Sequence, residues 1–179
     1  GYPVHGKTLL KVPDTTYFKP YGTGAILIDY IEAFDKLCKA FSDHFTKPGQ
    51  PRVRLYASGI RDFAGQIAVR QREIDRGTCQ DMNVRYGHVN RAAGQTRGCP
   101  TAIPGTSDHG WGQAVDIRSN TPDANGQYRA IRESSEEFKW LHHDGNAEKY
   151  GFHFPIWNRH PAPEPWHMEP IKKLIVLTK

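Results

Sequence analysis

Between Ala25 and Phe45 the apolar residues Leu27, Ile31, Phe34, Cys38, Phe41 and Phe45 recur at alternating steps of four and three. That repeat gives a helix one continuous buried face, so one long amphipathic helix is expected over 25–45, as scaffold. Lys47-Pro48-Gly49-Gln50-Pro51 stops it and turns the chain. From Val53 to Ala57 the pattern changes to alternation, the period of a strand, which delivers Ser58-Gly59-Ile60-Arg61 at its end. Asp62 is placed to cap a second helix over Phe63 to Ile74. Gln113 to Ile117 predicts another strand, with Val115 and Ile117 turned into a core and Asp116 on the opposite face with Ala114 and Gly112. Ser134 with Glu137 reads as a capping box for a helix carrying Phe138, Trp140 and Leu141, closed by Tyr150-Gly151-Phe152. Phe152 to Trp157 is expected as a strand, and Ile171 to Leu177 as a strand or short helix.

The stretches without period are as informative. Residues 1–24 carry Pro3, Pro13 and Pro20 with Gly6, Gly22 and Gly24, and predict an irregular N-terminal arm on a single domain spanning 25–179. Residues 76–106 are polar and rich in glycine and proline, and read as a long loop. Loops of that length in a small domain are usually functional, and this one runs directly toward His109, where it could wall a cleft. Cys79 and Cys99 flank part of it. A bridge between them would tie the excursion down and mark an oxidising compartment, and the sequence leaves its formation open. Cys38 falls on the apolar helix face and is expected as a buried small hydrophobe.

Composition narrows the class. The chain has 179 residues, enough for one domain with its own core, and 37% of them are hydrophobic. No run approaches the roughly 18 consecutive apolar residues of a membrane span. The chain opens at Gly1, as a processed or excised piece of a longer protein would, so its start says nothing of export. The 24 Lys and Arg against 19 Asp and Glu give +5, but the basic residues are scattered. With no basic block and no nucleic-acid motif, nucleic-acid binding is not expected. A modest positive charge suits encounter with an anionic partner, and equally suits a merely soluble surface. A monomer is expected.

Two segments carry chemistry: Ser107-Asp108-His109-Gly110-Trp111-Gly112-Gln113-Ala114-Val115-Asp116, and Glu164-Pro165-Trp166-His167. Hydrolytic zinc sites take three nitrogen or oxygen ligands and leave a further position to water, while a carboxylate that is not a ligand moves the proton. His109, Asp116 and His167 are the expected ligands of one Zn2+, and Glu164 the expected general base. Of the remaining histidines, His5, His44, His88, His142, His143 and His153 are expected in packing or surface roles, and His160 could line the cleft.

Ser-x-His-x-x-Gly-x-Ala-x-Asp followed by Glu-x-x-His resembles the signature of the zinc D-alanyl-D-alanine carboxypeptidases and related peptidoglycan peptidases, a family that includes vancomycin-resistance peptidases and phage endolysins. Ser58-Gly59-Ile60-Arg61 with Gln66 resembles that family's Ser-Gly-Tyr-Arg...Gln segment, with Ile60 in place of the tyrosine. Trp140-Leu141, Asn146-Ala147 and Tyr150-Gly151-Phe152 resemble its helix and turn, so the likeness covers about residues 53–169. The resemblance implies an α+β fold shared with hedgehog signalling domains: a small antiparallel sheet carrying the zinc site, with helices on one side. It also implies bacterial peptidoglycan as partner and a place outside the cell or in its envelope. Arg61 would face the cleft and stabilise an oxyanion or bind a carboxylate, while Ser107 and Gln66 would border the substrate. Met168-Glu169 stands where many carboxypeptidases of the family have a basic residue and a tyrosine. An acidic Glu169 facing the cleft would repel a terminal carboxylate, which favours an endopeptidase of the stem peptide or cross-bridge, with a D-alanyl-D-alanine carboxypeptidase second. A zinc-containing wall-binding or virion module without turnover is the reading from another class.

Overall fold

The computed structural model describes residues 10–77, 79, 89–91, 95–97, 101–160 and 162–175. In chain order, strands β1 (Leu10–Lys11), β2 (Phe18–Pro20) and β3 (Ile26–Leu27) precede helix α1 (Ile31–Phe45). Strand β4 (Leu55–Ser58) then leads into α2 (Phe63–Asp75), followed by β5 (Val89–Arg91), β6 (Gln95–Arg97) and β7 (Val115–Arg118). Two short helices, α3 (Glu136–Phe138) and α4 (Asn146–Lys149), come before β8 (Phe152–His153) and β9 (His167–Pro170).

Five of the strands form one sheet in the order β2-β4-β7-β9-β8. Its three pairings from β4 to β8 are antiparallel, as expected, whereas the edge strand β2 runs parallel to β4. The α+β class stands, and the supposed irregular arm supplies both that edge and β1, which pairs with β3. Phe18 on β2 is fully buried, which explains why this proline-rich stretch is held to the sheet. Residues 76–106, read as a loop, contain the antiparallel pair β5 and β6.

One face of the sheet is core. Leu55 and Ala57 of β4 and Val115 and Ile117 of β7 are buried, while the alternate residues Tyr56, Ser58, Asp116 and Arg118 are partly exposed on the other face. Helix α1 packs Phe34 edge-on against Phe18 and Phe152, at centroid separations of 5.6 and 5.7 Å. Cys38 is free and fully buried on that helix.

Several boundaries differ from the expected ones for identifiable reasons. The first helix begins at Ile31 rather than Ala25, because Ile26–Leu27 pair with β1 and the Leu27 amide donates to the Gly112 carbonyl at 2.8 Å. Leu27 and Ile31 are still buried, so the pattern located the face but not the start. The second helix has the expected cap: the Asp62 carboxylate accepts from the Gly65 amide at 2.6 Å. The cap before Phe138 is Ser135 rather than Ser134, accepting from the Phe138 amide at 3.1 Å, and Glu137 accepts from the Asn120 amide instead of closing a box. The strand expected over 152–157 ends at His153, since Pro155 can donate nothing to a ladder. No strand or helix forms over 171–175; the ligand-bearing stretch His167–Pro170 is itself the last strand, paired on both sides. Among the described residues no helix is long and apolar enough to cross a membrane.

Gly59, just beyond β4, shows how tightly the site's approach is built. A Cβ there would lie 2.4 Å from the Ala25 carbonyl oxygen, and its own amide donates to the Thr23 carbonyl at 2.9 Å. Gly59→Ala is therefore expected to destabilise the protein by about 1–3 kcal/mol through overpacking, read as a lower midpoint in chemical denaturation. A midpoint equal to that of the wild type would contradict this close approach.

Candidate metal centre

Register brings two of the expected ligands together. Asp116 on β7 lies directly opposite His167 on β9, with Ser58 of β4 on its other side. Side chains of directly opposed residues share a face, so carboxylate and imidazole meet. His109 is supplied by the turn before β7, closed by Gly110 N–H to the Ser107 carbonyl at 3.0 Å and Gly112 N–H to the His109 carbonyl at 3.2 Å. Gly112 adopts φ +73°, a left-handed conformation that favours glycine, and a Cβ there would press on the Leu27 amide nitrogen at 3.0 Å.

The three donor atoms lie within 4.8 Å of one another. His109 Nε2 is 3.2 Å from Asp116 Oδ1 and 3.2 Å from His167 Nδ1, and His167 Nδ1 is 3.5 Å from Asp116 Oδ1. The second nitrogen of each ring fixes what the first can do. His109 Nδ1 lies 2.9 Å from the Gly59 carbonyl, which can only accept, so Nδ1 carries the proton and Nε2 a lone pair. His167 Nε2 donates to Glu169 Oε1 at 2.8 Å, which turns Nδ1 inward in the same way. Asp116 Oδ1 is buried without a hydrogen-bond partner among the described residues. Three electron pairs thus converge on one point with no proton assigned to them, an arrangement that fits a cation bound by two imidazoles and a carboxylate.

Without a metal a proton takes that place. Burial would lower the His167 pKa, but Asp116 and Glu169 outweigh it and push it up to about 9. Burial would raise the Asp116 carboxyl, but the charges of His109 and then His167 hold it well below the usual carboxylate range. Because the raised His167 pKa favours the protonated ring, this group stabilises the metal-free fold below its ordinary pKa of 6.5, and that contribution fades as pH rises through about 9. A metal must displace the same proton. Apparent affinity is therefore expected to rise about tenfold per pH unit from near 6.5 to about 9 and then flatten. Chelator competition at several pH values checks this, and an affinity independent of pH above 7 would contradict it.

Glu164 rides on a turn beside these atoms. The His167 amide donates to the Glu164 carbonyl at 3.2 Å, and Pro165 within the turn presets its backbone. Its Oε2 lies 3.9 Å from His167 Nδ1, while its Oε1 accepts from Arg159 at 3.4 Å. The side chain is 24% exposed, so it is placed beside the three donors without joining them.

The other expected site residues fall into different roles. Arg61 follows Gly59 at the end of β4 and donates to Gln66 Oε1 at 3.1 Å. Gln66 is fully buried and its amide nitrogen donates to the Ala102 carbonyl at 2.7 Å, so it holds Arg61 and the 101–102 segment rather than offering a surface to substrate. Ser107 is buried at the start of the His109 turn. Glu169 does not face a cleft: it is 5% exposed, bonded to His167 and paired with Lys173 at 2.7 Å. The repulsion argument drawn from it therefore lapses. Its role was legible in principle, because on a strand the residue two after a ligand shares the ligand's face.

His160 is exposed, and His44 and His142 stack on Trp140 and Phe138 respectively. His5 and His88 lie outside the described residues. Cys79 is buried and disulfide-bonded, and Cys99, its suggested partner, lies outside the described residues.

Comparison with known proteins agrees with this geometry. The family model described as VanY, D-alanyl-D-alanine carboxypeptidase, matches residues 30–171. Among solved structures, the chain is similar to the LD-carboxypeptidase LdcB, at 20% identity and TM-score 0.61, covering 92% of this chain and 68% of that one. It is also similar to the vancomycin-resistance D,D-pentapeptidase VanY in complex with Zn(II), at 20% identity and TM-score 0.52, covering 95% and 82%. A third likeness is to the D,D-dipeptidase VanXYg with a D-Ala-D-Ala phosphinate analogue, at 18% identity and TM-score 0.50, covering 82% and 51%. At these identities the likeness is one of fold. No curated protein matches the chain.

Proposed function

The chain belongs to the VanY family of D-alanyl-D-alanine carboxypeptidases, and from that premise we propose that it is a zinc-dependent peptidase of bacterial peptidoglycan. The observation that carries the proposal is the convergence of His109 Nε2, Asp116 Oδ1 and His167 Nδ1, with the Glu164 carboxylate, held by Arg159 through Oε1, alongside.

His109, Asp116 and His167 would hold the ion. Zinc, when bound, supplies Lewis acidity that polarises a carbonyl and makes water more acidic. The rest is done by the chain's own residues. Glu164 takes a proton from the attacking water and returns it to the departing amine. Arg159 holds Oε1 of that carboxylate, which leaves Oε2 on the side of the ligands. Arg61, steadied by Gln66, presents a guanidinium to the negative charge that develops on the carbonyl oxygen.

With Glu169 committed to His167 and Lys173, its charge no longer argues against a substrate with a free carboxyl terminus. The family's description favours such a substrate, so removal of a terminal D-amino acid from the stem peptide is the reading preferred over internal cleavage. A peptidoglycan substrate also implies work outside the cell or in its envelope. The test compares stem peptides ending in free D-Ala-D-Ala with the same peptides amidated at the terminus, with products read by mass spectrometry. Release of one D-alanine from the free form alone is expected. Equal internal cleavage of both forms would overturn the carboxypeptidase part and establish an endopeptidase.

A further inference from the structure

We propose that Lys173 is a positioning residue of the metal centre, a single ammonium that brackets both ligand-bearing segments and fixes the His167 ring; the proposal rests on the zinc reading above. Lys173 Nζ lies 2.7 Å from Glu169 Oε2 and 3.1 Å from Asp108 Oδ1. Glu169 holds His167 directly through its other oxygen, at 2.8 Å, and Asp108 immediately precedes His109. The two histidines are 58 positions apart in the chain, and Lys173 is a cation joined to both of their segments.

The physical need is plain. The Asp108 and Glu169 side chains are only 3% and 6% exposed, and two buried carboxylates facing one point repel unless a cation stands between them. An ammonium offers three donors and no acceptor, which suits a bridge between two carboxylates. Without it Glu169 would keep a buried charge compensated on one side only. It would then turn toward water and release its grip on His167 Nε2.

The segment carrying Lys173 is fastened independently of the ammonium. The Leu174 amide donates to the Tyr30 hydroxyl at 2.9 Å, the Ile175 amide to Gln113 Oε1 at 3.3 Å, and Gln113 Nε2 to Asp108 Oδ1 at 3.0 Å. Truncating the charge should therefore leave the segment docked, so the effect is read at the metal.

The test uses the whole chain as wild type, Lys173→Met, which keeps the apolar stem, and Lys173→Arg, which keeps the charge. Zinc dissociation constants are measured by chelator competition, and unfolding midpoints are taken for stripped and loaded protein. Lys173→Met is expected to weaken zinc binding about 10–100-fold, the usual cost of losing a group that orients a ligand, and to shrink the rise in midpoint that zinc brings. Lys173→Arg is expected to recover most of the affinity. An unchanged zinc constant in Lys173→Met, with both midpoints lowered equally, would mean a merely structural ion pair and overturn the inference alone. A wild type that takes up no zinc would overturn the zinc reading beneath it as well. Should Lys173→Met fail to fold, Lys173→Gln removes the same charge while keeping one donor group, and the same two outcomes apply.

Discussion

Glu164→Gln is expected to lower kcat by about 10²- to 10⁴-fold, the usual worth of a positioned general acid and base, while leaving zinc binding close to that of the wild type. The geometry separates the two effects. Glu164 Oε2 is 3.9 Å from His167 Nδ1 and lies outside the set of three donors that meet within 4.8 Å. Glutamine keeps the size of the side chain and an oxygen for Arg159, but it cannot take up a proton at neutral pH. Its partial exposure means that stability should change by no more than about 0.5 kcal/mol. Turnover of a stem peptide, measured beside zinc content and melting temperature, reads all three. A protein that used this fold only to bind the wall would be indifferent to the change, so an unaltered wall interaction with no turnover in either form would favour the binding module.

Asp116→Asn reverses that pattern, with metal and activity lost together. The carboxylate sits at the centre of the sheet, between Ser58 and His167, and its Oδ1 is buried with no hydrogen-bond partner among the described residues. An amide of the same shape preserves the packing and removes the negative charge from a site whose other two candidate ligands are imidazoles, neutral when they bind a metal. Since losing a group that only orients a ligand weakens metal binding about 10–100-fold, losing the charged ligand itself should cost more than the upper end of that range. Chelator competition would show it. The rise in melting temperature on adding zinc should also vanish, because a ligand stabilises only the state that binds it. Retained zinc affinity in Asp116→Asn would place the metal elsewhere.

The candidate ligand set was legible as a cluster because each member lies where local pattern and chemistry agree. Alternation over 113–117 turned Val115 and Ile117 inward and left Asp116 on the open face, as observed. Glycines around His109 signalled the turn that carries it, and Glu-x-x-His set Glu164 next to His167. The groups that orient the ligands were harder to see. The Gly59 carbonyl has no side-chain signal at all, and Lys173 acts through a segment with no regular secondary structure. Gln66 resembled a substrate contact, but whether a polar residue on a helix faces a cleft or a packed loop depends on what covers it, here Ala102. The start of the first helix and the parallel edge strand were missed for a related reason. Pairing of β3 with β1 and of β2 with β4 is decided by distant segments, and the local pattern of Leu27, Ile31 and Phe18 is compatible with either outcome.

The most direct test of the central claim is digestion of purified peptidoglycan by three samples of one preparation: zinc-loaded, stripped by chelator, and stripped then reconstituted with zinc. Soluble products are identified by mass spectrometry. Peptide-bond cleavage in the loaded and reconstituted samples, and none in the stripped one, is the expected result, with free D-alanine as the released product. Undiminished cleavage by stripped protein, or none by protein shown to hold zinc, would contradict it.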